Sequence, residues 1–391
     1  KLVYLDSGAT SQKPLSVIEA ESNFYKFTNA AVHRGAHQLA EEATDAYEGA
    51  RLKVANFLGA KEEEIVFTKN ATESLNLVAY AMGNAQPGSR FALTSKDQIV
   101  VTEMEHHANL IPWQQLAART GAELKWFEVT PEGRLDLSAI NSIITENTKV
   151  VALTHQSNVL GTVIPLAQIA KRARDVGAIF ILDACQSVPH MPVNVKALDI
   201  DFLVFSGHKT VGPTGVGVLW GRANLLSLLP PFLFGGSMIE TVTMTTATWA
   251  PAPRKFEAGV PNMAQAVGLG AALDYLTNIG MINVHDHEVS LTQYLIEKLQ
   301  QVPELKIVGP TNIDARGGTV SFTVGEIHPH DLGQYVDSQG VAVRTGHHCA
   351  WPLTRKLGVP ATTRASLYLY NDESDCDALF DAILGAQKYF A

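Results

Sequence analysis

Short apolar runs alternate with longer amphipathic stretches over much of the chain. The clearest runs cover residues 64–68, 98–102, 149–154, 178–182 and 201–205. Each is rich in β-branched or aromatic residues, and polar loops and segments with apolar residues at helical spacing separate them. Such alternation is typical of βαβ units. It predicts an α/β fold in which helices cover both faces of a mostly parallel sheet.

The pattern also predicts how the rest of the chain is organised. It indicates an opening strand at 1–6, helices at 15–25, 41–58, 74–82 and 264–276, a returning strand at 215–220, a surface loop at 86–96 and an irregular segment at 234–253. From about residue 278 it indicates helices at 289–301, 330–339 and 375–390 and strands at 305–308, 318–323 and 341–344. We therefore expect a large domain at 10–277 and a smaller α+β domain at 278–391, joined by residues 1–9.

Polar side chains follow each of the five apolar runs. In a parallel sheet the ligand lies beyond the carboxyl ends of the strands, so these residues are expected on one rim. Any one of them could be a satisfied structural group, and Thr72 could simply cap its helix. Five in succession are difficult to explain by packing alone. They are the anion seat at Asn70, Ala71 and Thr72, the imidazoles of His106 and His107, Gln156 to Asn158, Asp183 to Gln186, and Ser206 to Lys209.

Lys209 and Asp183 indicate a specific chemistry on this rim. Lys209 follows a buried run and lies between Ser206, His208 and a glycine-rich turn. A Schiff-base lysine with an aspartate facing the pyridinium nitrogen is what proteins contribute to pyridoxal phosphate (PLP) chemistry. The alternative for the lysine alone is a side chain that extends from a strand end to water.

The C-terminal part adds a cysteine and an arginine of interest. Cys349 follows His347 and His348 in a glycine-led polar loop, where a thiolate nucleophile is plausible chemistry. The same three residues could instead offer metal ligands, although adjacent positions converge poorly on one ion. Arg364 enters a short apolar strand, and a substrate carboxylate would be a natural bidentate partner for it.

Composition narrows the class of protein. The chain has 391 residues, is 46% hydrophobic and carries a formal net charge of −9. The chain has no excess of basic residues, so neither nucleic acid nor an anionic membrane surface is an expected partner. Its three cysteines have no C-x-x-C spacing, which argues against a disulfide scaffold or a thiolate zinc site. With no apolar run long enough to span a membrane, we expect a cytoplasmic protein without a bound metal.

Five segments carry a family resemblance. They are Val32 to Gly35, Glu105 to Asn109, Asp183 to Gln186, Ser206 to Lys209 and Arg344 to Ala350. In this order and over nearly the whole chain they resemble the PLP-dependent cysteine desulfurases of the class V aminotransferase family, in particular the SufS-like group. The resemblance implies the PLP-dependent transferase fold type I.

The resemblance also implies residue roles. Lys209, Cys349 and His106 would be catalytic: Lys209 as the lysine bound to the cofactor, Cys349 as the sulfur acceptor, and His106 stacked on the pyridine ring. Asp183 would pair with the ring nitrogen and Gln186 with the phenolic oxygen. Thr72, Ser206 and His208 would hold the phosphate, and Ala71 and Asn158 would also bind the cofactor. The substrate carboxylate would be held by Asn158, Arg344 and Arg364.

The implied function is conversion of L-cysteine to L-alanine, with a persulfide on Cys349. The sulfur would pass to a SufE- or SufU-like carrier protein for iron–sulfur cluster assembly, and the enzyme would be a homodimer. Two positions differ from the family pattern. Val260 stands where threonine usually reaches the partner subunit's phosphate, and Trp351 stands where a smaller polar residue is usual.

Other functions stay open at this point. Within the fold, the chain could be a selenocysteine lyase or a plain class V aminotransferase, but transamination has no use for Cys349. From other classes, it could be a metal-dependent protein or a catalytically silent scaffold in sulfur-carrier assembly.

Overall fold

The computed structural model describes residues 2–391. The strands are β1 (Val3–Tyr4), β2 (Ile65–Thr68), β3 (Gln98–Thr102), β4 (Glu123–Phe127), β5 (Thr148–Thr154), β6 (Ile179–Asp183), β7 (Phe202–Ser206), β8 (Gly217–Gly221), β9 (Ile239–Val242), β10 (Ala247–Trp249), β11 (Leu305–Val308), β12 (Thr319–Val324), β13 (Val341–Ala342), β14 (Arg344–Gly346) and β15 (Thr362–Ser366). The helices are α1 (Leu15–Asn23), α2 (Gln38–Leu58), α3 (Ala71–Gly83), α4 (Ile111–Thr120), α5 (Ile140–Ile143), α6 (Leu166–Asp175), α7 (Val195–Leu198), α8 (Ala223–Leu228), α9 (Met263–Ile279), α10 (Met281–Leu299), α11 (Pro329–Ser338), α12 (Trp351–Lys356) and α13 (Glu373–Phe390).

The central element is a seven-stranded sheet in the order β2-β8-β7-β6-β5-β3-β4. The five neighbours from β7 to β4 run parallel, and β8 is antiparallel to both β2 and β7. The mostly parallel sheet is therefore confirmed, and all five apolar runs lie in it. The sequence pattern did not predict β4, because this edge strand buries only part of its length and lacks a continuous apolar run.

Both faces of this sheet are covered. Along β7, Leu203 and Phe205 belong to one core cluster, whereas Phe202 and Val204 belong to the cluster on the opposite face. Successive side chains of a strand point to opposite faces, so a strand buried on both sides must be apolar throughout. This is why the run before Lys209 contains no polar alternation.

A second, smaller unit is built around its own sheet, in the order β11-β12-β15-β14. Its core is separate and includes Leu295, Phe322 and Leu379. The N-terminal strand β1 pairs in parallel with β13, so the start of the chain joins this unit. The division into 10–277 and 278–391 with 1–9 stays a prediction, because Val308, Ala350 and Leu353 belong to the core of the large sheet.

Several predicted segments differ from the structure, among them 341–344, which is divided between β13 and β14 in separate sheets. Helix α3 begins at Ala71 and its N-cap is Asn70, whose Oδ1 accepts from Glu73 N, so Thr72 is a helical residue and not the cap. The segment at 234–253 contains the β9–β10 hairpin, which threonine hydroxyl pairs link on an exposed surface. Helix α10 begins at Met281, eight residues before the predicted start at 289.

Among residues 2–391, no helix is both long enough and apolar enough to cross a membrane.

Candidate functional site

One cavity of about 300 Å³ gathers every residue to which the resemblance assigned a catalytic or binding role. It lies at the carboxyl ends of the central strands, where the second unit closes over the sheet. The predicted residues in its lining are Ala71, Thr72, His106, Asn158, Asp183, Gln186, Ser206, His208, Lys209, Arg344, Cys349 and Arg364. The structure thus brings these side chains together, while their individual roles stay predictions.

The start of α3 lines one corner of this cavity. Ala71 N donates to Ser206 Oγ at 2.9 Å, which ties the helix N-terminus to the last residue of β7. Strand β8 passes so close that a Cβ on Gly217 would lie 2.5 Å from the Cα of Asn70, so only glycine fits there. Backbone N–H groups at a helix N-terminus favour an anion.

Asp183 and Lys209 lie at the ends of β6 and β7, on the side of the cavity that we call the floor. Asp183 is the last residue of β6, and its Oδ1 accepts from Cys185 N at 3.0 Å. Lys209 ends a single 3₁₀ turn that follows β7 and begins at Gly207. A Cβ on Gly207 would lie 2.8 Å from the Cγ1 of Val216, so the turn needs glycine to pack against the returning chain.

His106 is held as a neutral imidazole over this floor. Its Nδ1 accepts from Ala108 N at 3.0 Å, which leaves the ring proton on Nε2. Burial, followed by the charge of Lys209, lowers the pKa of His106 to about 3. At neutral pH the ring is therefore uncharged, which suits stacking on an aromatic ligand.

The segment before His106 is anchored by a buried carboxyl. Glu105 accepts from Thr102 Oγ1 at 2.7 Å, from Asn109 Nδ2 at 2.6 Å and from Thr154 N at 3.1 Å. Burial raises its pKa to about 8, although all three donors favour the charged carboxylate. Glu105 thereby joins the ends of β3 and β5 beneath the imidazole.

Arg364 and Arg344 line the side formed by the second unit. Arg364 is only 2% exposed, and it donates from Nη1 to Asn158 O at 3.0 Å and from Nη2 to Asp6 Oδ1 at 3.1 Å. Its Nε has no hydrogen-bond partner among residues 2–391. Arg344 donates to the same Asp6 carboxylate from Nε and Nη2. One carboxylate thus orients two guanidinium groups at the cavity.

The cysteine loop has the most unusual backbone of the site. His348 and Cys349 have φ angles of 51° and 57°, in the left-handed region that side chains other than glycine rarely adopt. Three hydrogen bonds hold this backbone: His107 N to Cys349 O (2.7 Å), Asn158 Nδ2 to His348 O (2.7 Å) and Trp351 N to His107 Nε2 (3.1 Å). The result is an exposed thiol on a fixed main chain.

Some residues were missed, and others lie elsewhere. Gly8, Ala9 and Thr154 also line the cavity. Thr154 could have been found as the last residue of an apolar run, whereas nothing local in the sequence connects Gly8 with the rim. The loop residues His33 and Arg34 lie in a different pocket, together with Val260. His348 Nε2 pairs with Thr362 Oγ1 at 2.7 Å, and residues 2–391 contain no cluster of three or more potential metal ligands.

Comparison with known proteins assigns the chain to a family. The family model described as "Aminotransferase class-V" matches residues 3–379. A protein of Streptomyces coelicolor named "Probable cysteine desulfurase" is 57% identical over 391 residues, which covers 100% of this chain and 93% of that protein. "Probable cysteine desulfurase 2" of Mycobacterium leprae is 54% identical over 393 residues, with the same coverage.

Solved structures agree on the fold. The apo structure of the cysteine desulfurase from Thermococcus onnurineus NA1 matches with a TM-score of 0.95 and 42% identity, over 99% of this chain and 95% of that one. The cysteine desulfurase CsdA from Escherichia coli, in an S-sulfonic acid form, matches with a TM-score of 0.90 and 38% identity over the same shares. Members of this family use PLP, so the expected fold type I and cofactor are confirmed. The chain belongs to the class V aminotransferase family.

Proposed function

We propose that this protein is a PLP-dependent cysteine desulfurase that converts L-cysteine to L-alanine and holds the released sulfur as a persulfide on Cys349. The observation that carries the proposal is the position of one exposed thiol over the cavity that contains Lys209 and Asp183. The names of the relatives support the same activity.

The cavity fits PLP on features of the chain itself. An aldehyde cofactor needs an amine, which Lys209 offers, and a protonated ring nitrogen needs a carboxylate, which Asp183 offers at the floor. Gln186 Nε2 donates one N–H to Gly8 O at 2.9 Å and has a second N–H, while its buried Oε1 has no partner within the described residues. The phosphate would be held by Ala71, Thr72, Ser206 and His208.

The protein's own groups then have distinct tasks. When bound, the cofactor supplies an electron sink for the α-carbon of the amino acid. Lys209 would move the proton from the substrate's α-carbon. Asp183 would hold a proton at the ring nitrogen, and neutral His106 would stack on the ring and could pass a proton at its Nε2. Lys209 and His106 thus serve proton transfer.

Sulfur transfer is the step assigned to Cys349. Its thiolate sulfur forms a bond to the substrate sulfur as the substrate's Cβ–S bond breaks. The electron pair of that bond stays with the substrate's Cβ, which takes up one proton, and the α-carbon regains the proton that Lys209 removed, so that alanine leaves. The left-handed backbone at Cys349 supports this role, because strained main chain is retained mainly where the surrounding structure and function require it.

The arginine side of the cavity is assigned to the substrate carboxylate. Arg364 is already oriented by Asp6 and Asn158 O, and its free Nε leaves donor capacity for a carboxylate. Asn158 and Arg344 would contribute to the same subsite.

Two partners follow from the same proposal. An exposed Cys349 suits delivery of sulfur to an acceptor protein, for which we propose a SufE- or SufU-like carrier in iron–sulfur cluster assembly.

Exposed apolar side chains on and beside the β9–β10 hairpin favour a homodimer through this face. They are Leu233, Phe234, Val242, Met244 and Val260. Three free cysteines are typical of a reducing compartment, which supports a cytoplasmic location.

Mass spectrometry of Cys349 tests the proposal directly. After incubation of the PLP-loaded protein with L-cysteine, we expect one added sulfur atom on Cys349 and alanine in solution. A plain aminotransferase would instead produce a keto acid and leave the thiol unmodified, and that outcome would refute the assignment.

A further inference from the structure

An unusual group of donors surrounds the carbonyl oxygen of His208, directly before Lys209. It accepts from Lys13 Nζ at 2.8 Å, Ser11 N at 3.0 Å, Thr10 Oγ1 at 3.0 Å and Ser11 Oγ at 3.1 Å. A carbonyl has two lone pairs, so these donors share it. The ammonium of Lys13 is the strongest of them, because hydrogen bonds from charged donors are roughly twice as strong as neutral ones.

The same N-terminal segment also holds the residues after the lysine. Val211 N donates to Ser11 Oγ at 3.0 Å, and Val211 has a φ angle of 45°. A β-branched residue in the left-handed region is strained, so contacts from outside the turn must keep it there. The turn on both sides of Lys209 is therefore supported by residues 10–13.

The other end of this segment contacts the arginines. Asp6 accepts from Arg344 and Arg364, and Gly8 N donates to Ser366 Oγ at 2.8 Å, two residues after Arg364 in β15. A Cβ on Gly8 would lie 3.2 Å from Arg364 Nη2, so the main chain passes close to this guanidinium. We call residues 6–13 the N-terminal strap. It runs from the proposed carboxylate subsite to the turn of Lys209.

We propose that the N-terminal strap fixes the turn carrying Lys209 relative to Arg344 and Arg364, and that Lys13 is the positioning residue at its inner end. The inference rests on the proposed function, which assigns Lys209 and the arginines their roles. Lys13 does not line the site cavity but a separate one on the far side of the turn, together with Val211. It therefore acts through Lys209 and does not touch the substrate.

The charge of Lys13 also reaches the adjacent imidazole. Burial, then Lys209, then Lys13 lower the pKa of His208 to about 4. Burial lowers the pKa of Lys13 itself to about 8, so experiments at pH 7 examine its ammonium form.

Hydrogen exchange of the PLP-loaded protein at pH 7 tests the strap without reliance on activity. In Lys13→Met, we expect amides of residues 207–211 to exchange about tenfold faster, because a local opening becomes easier. Lys13→Arg retains a cation at this position and should restore protection. Lys171→Met is the matched control, since Lys171 is exposed and pairs with Asp175 on the surface of α6.

Kinetics and circular dichroism complete the test. For Lys13→Met we expect kcat to fall about tenfold with KM within about twofold, because a small misplacement of a catalytic group is costly while substrate contacts remain. The visible circular dichroism band per bound cofactor should also weaken, and Lys13→Arg should recover both signals.

Two results would contradict the proposed role of the N-terminal strap. In the first, Lys13→Met shows the same amide exchange at 207–211 and the same kcat as Lys171→Met. The other is faster exchange throughout residues 2–391 with an unchanged circular dichroism band per bound cofactor, which indicates general destabilisation only. Absence of desulfuration in the unmutated protein would count against the proposed function, while the exchange data would still decide the strap.

Discussion

The floor of the cavity and the cysteine loop hold their functional side chains in different ways. On the floor, Asp183 and Ser206 are the last residues of regular, fully covered strands, and both are at most 5% exposed. Cys349 is exposed and has a left-handed backbone. A packed sheet fixes positions at no conformational cost beyond folding, whereas presenting a thiol to an outside acceptor requires strained main chain held by hydrogen bonds. The comparison predicts that changes on the floor abolish all chemistry, whereas changes in the loop affect sulfur transfer alone.

The largest effect is expected at Lys209. Lys209→Ala removes the amine that binds the cofactor and moves the α-proton, so we expect kcat to fall by about 10⁴. The visible absorbance of the bound cofactor should be lost as well, which a spectrum of the purified protein measures. Lys171→Met again serves as the control. Retention of the visible band in Lys209→Ala would contradict the role of Lys209.

Cys349→Ser should affect the function of the cysteine loop and leave that of the floor unchanged. The hydroxyl is a poor nucleophile toward sulfur, so desulfuration of L-cysteine should fall by at least about 10³. The cofactor spectrum and its change on addition of L-cysteine should stay, because the floor is untouched. Steady alanine production from L-cysteine by this variant would refute the assignment. Turnover of selenocysteine can persist, since a selenolate leaves more readily than a thiolate.

Arg364→Lys tests the border between the two regions. Lysine keeps the charge but loses the planar fork, and the partly buried Asp6 carboxylate and Asn158 O lose matched donors. We expect KM for L-cysteine to rise about 30-fold, which corresponds to a lost charged hydrogen bond. Arg355→Lys is a suitable control, because Arg355 lies over the ring of Trp351 near the loop. Equal effects of the two variants would remove Arg364 from the substrate subsite.

The sequence predicted the strand ends of the floor better than the long-range contacts that hold the site together. The five strands and the residues after them could be found because each covered strand is a continuous apolar run. Edge strand β4 and the β9–β10 hairpin were missed because exposed strands do not need that pattern. The pairing of Asp6 with Arg364 joins residues 358 positions apart, and the donors at His208 O lie about 195 positions away. No local pattern encodes such contacts.

The cysteine loop was predicted by its residue types and not by its geometry. A glycine-led polar loop with His347, His348 and Cys349 indicated chemistry, but φ is positive at two positions that are not glycine. Only the tertiary hydrogen bonds to His107 and Asn158 explain why that conformation persists. The sequence therefore indicated Cys349 as the candidate nucleophile, but it did not predict the backbone conformation that exposes its thiol.

The smallest expected effect concerns the tether between Trp351 N and His107 Nε2. This bond requires an unprotonated Nε2. Burial, followed by His347, lowers the pKa of His107 below its ordinary value of 6.5. The unfolded chain then binds the proton more readily, so the tether's contribution to stability is present above pH 6.5 and is lost as pH falls through the lowered pKa.

Amide exchange measures this tether. Relative to the intrinsic rate at each pH, protection of the Trp351 amide should fall about fivefold between pH 7.5 and pH 5. The Ala350 amide is the internal control, because its acceptor, His347 O, is a carbonyl that does not titrate. Its protection should stay constant. Equal loss at both amides would mean that the loop opens as a unit, and the thiol would then be presented by a mobile segment and not by a main chain fixed at the three points described.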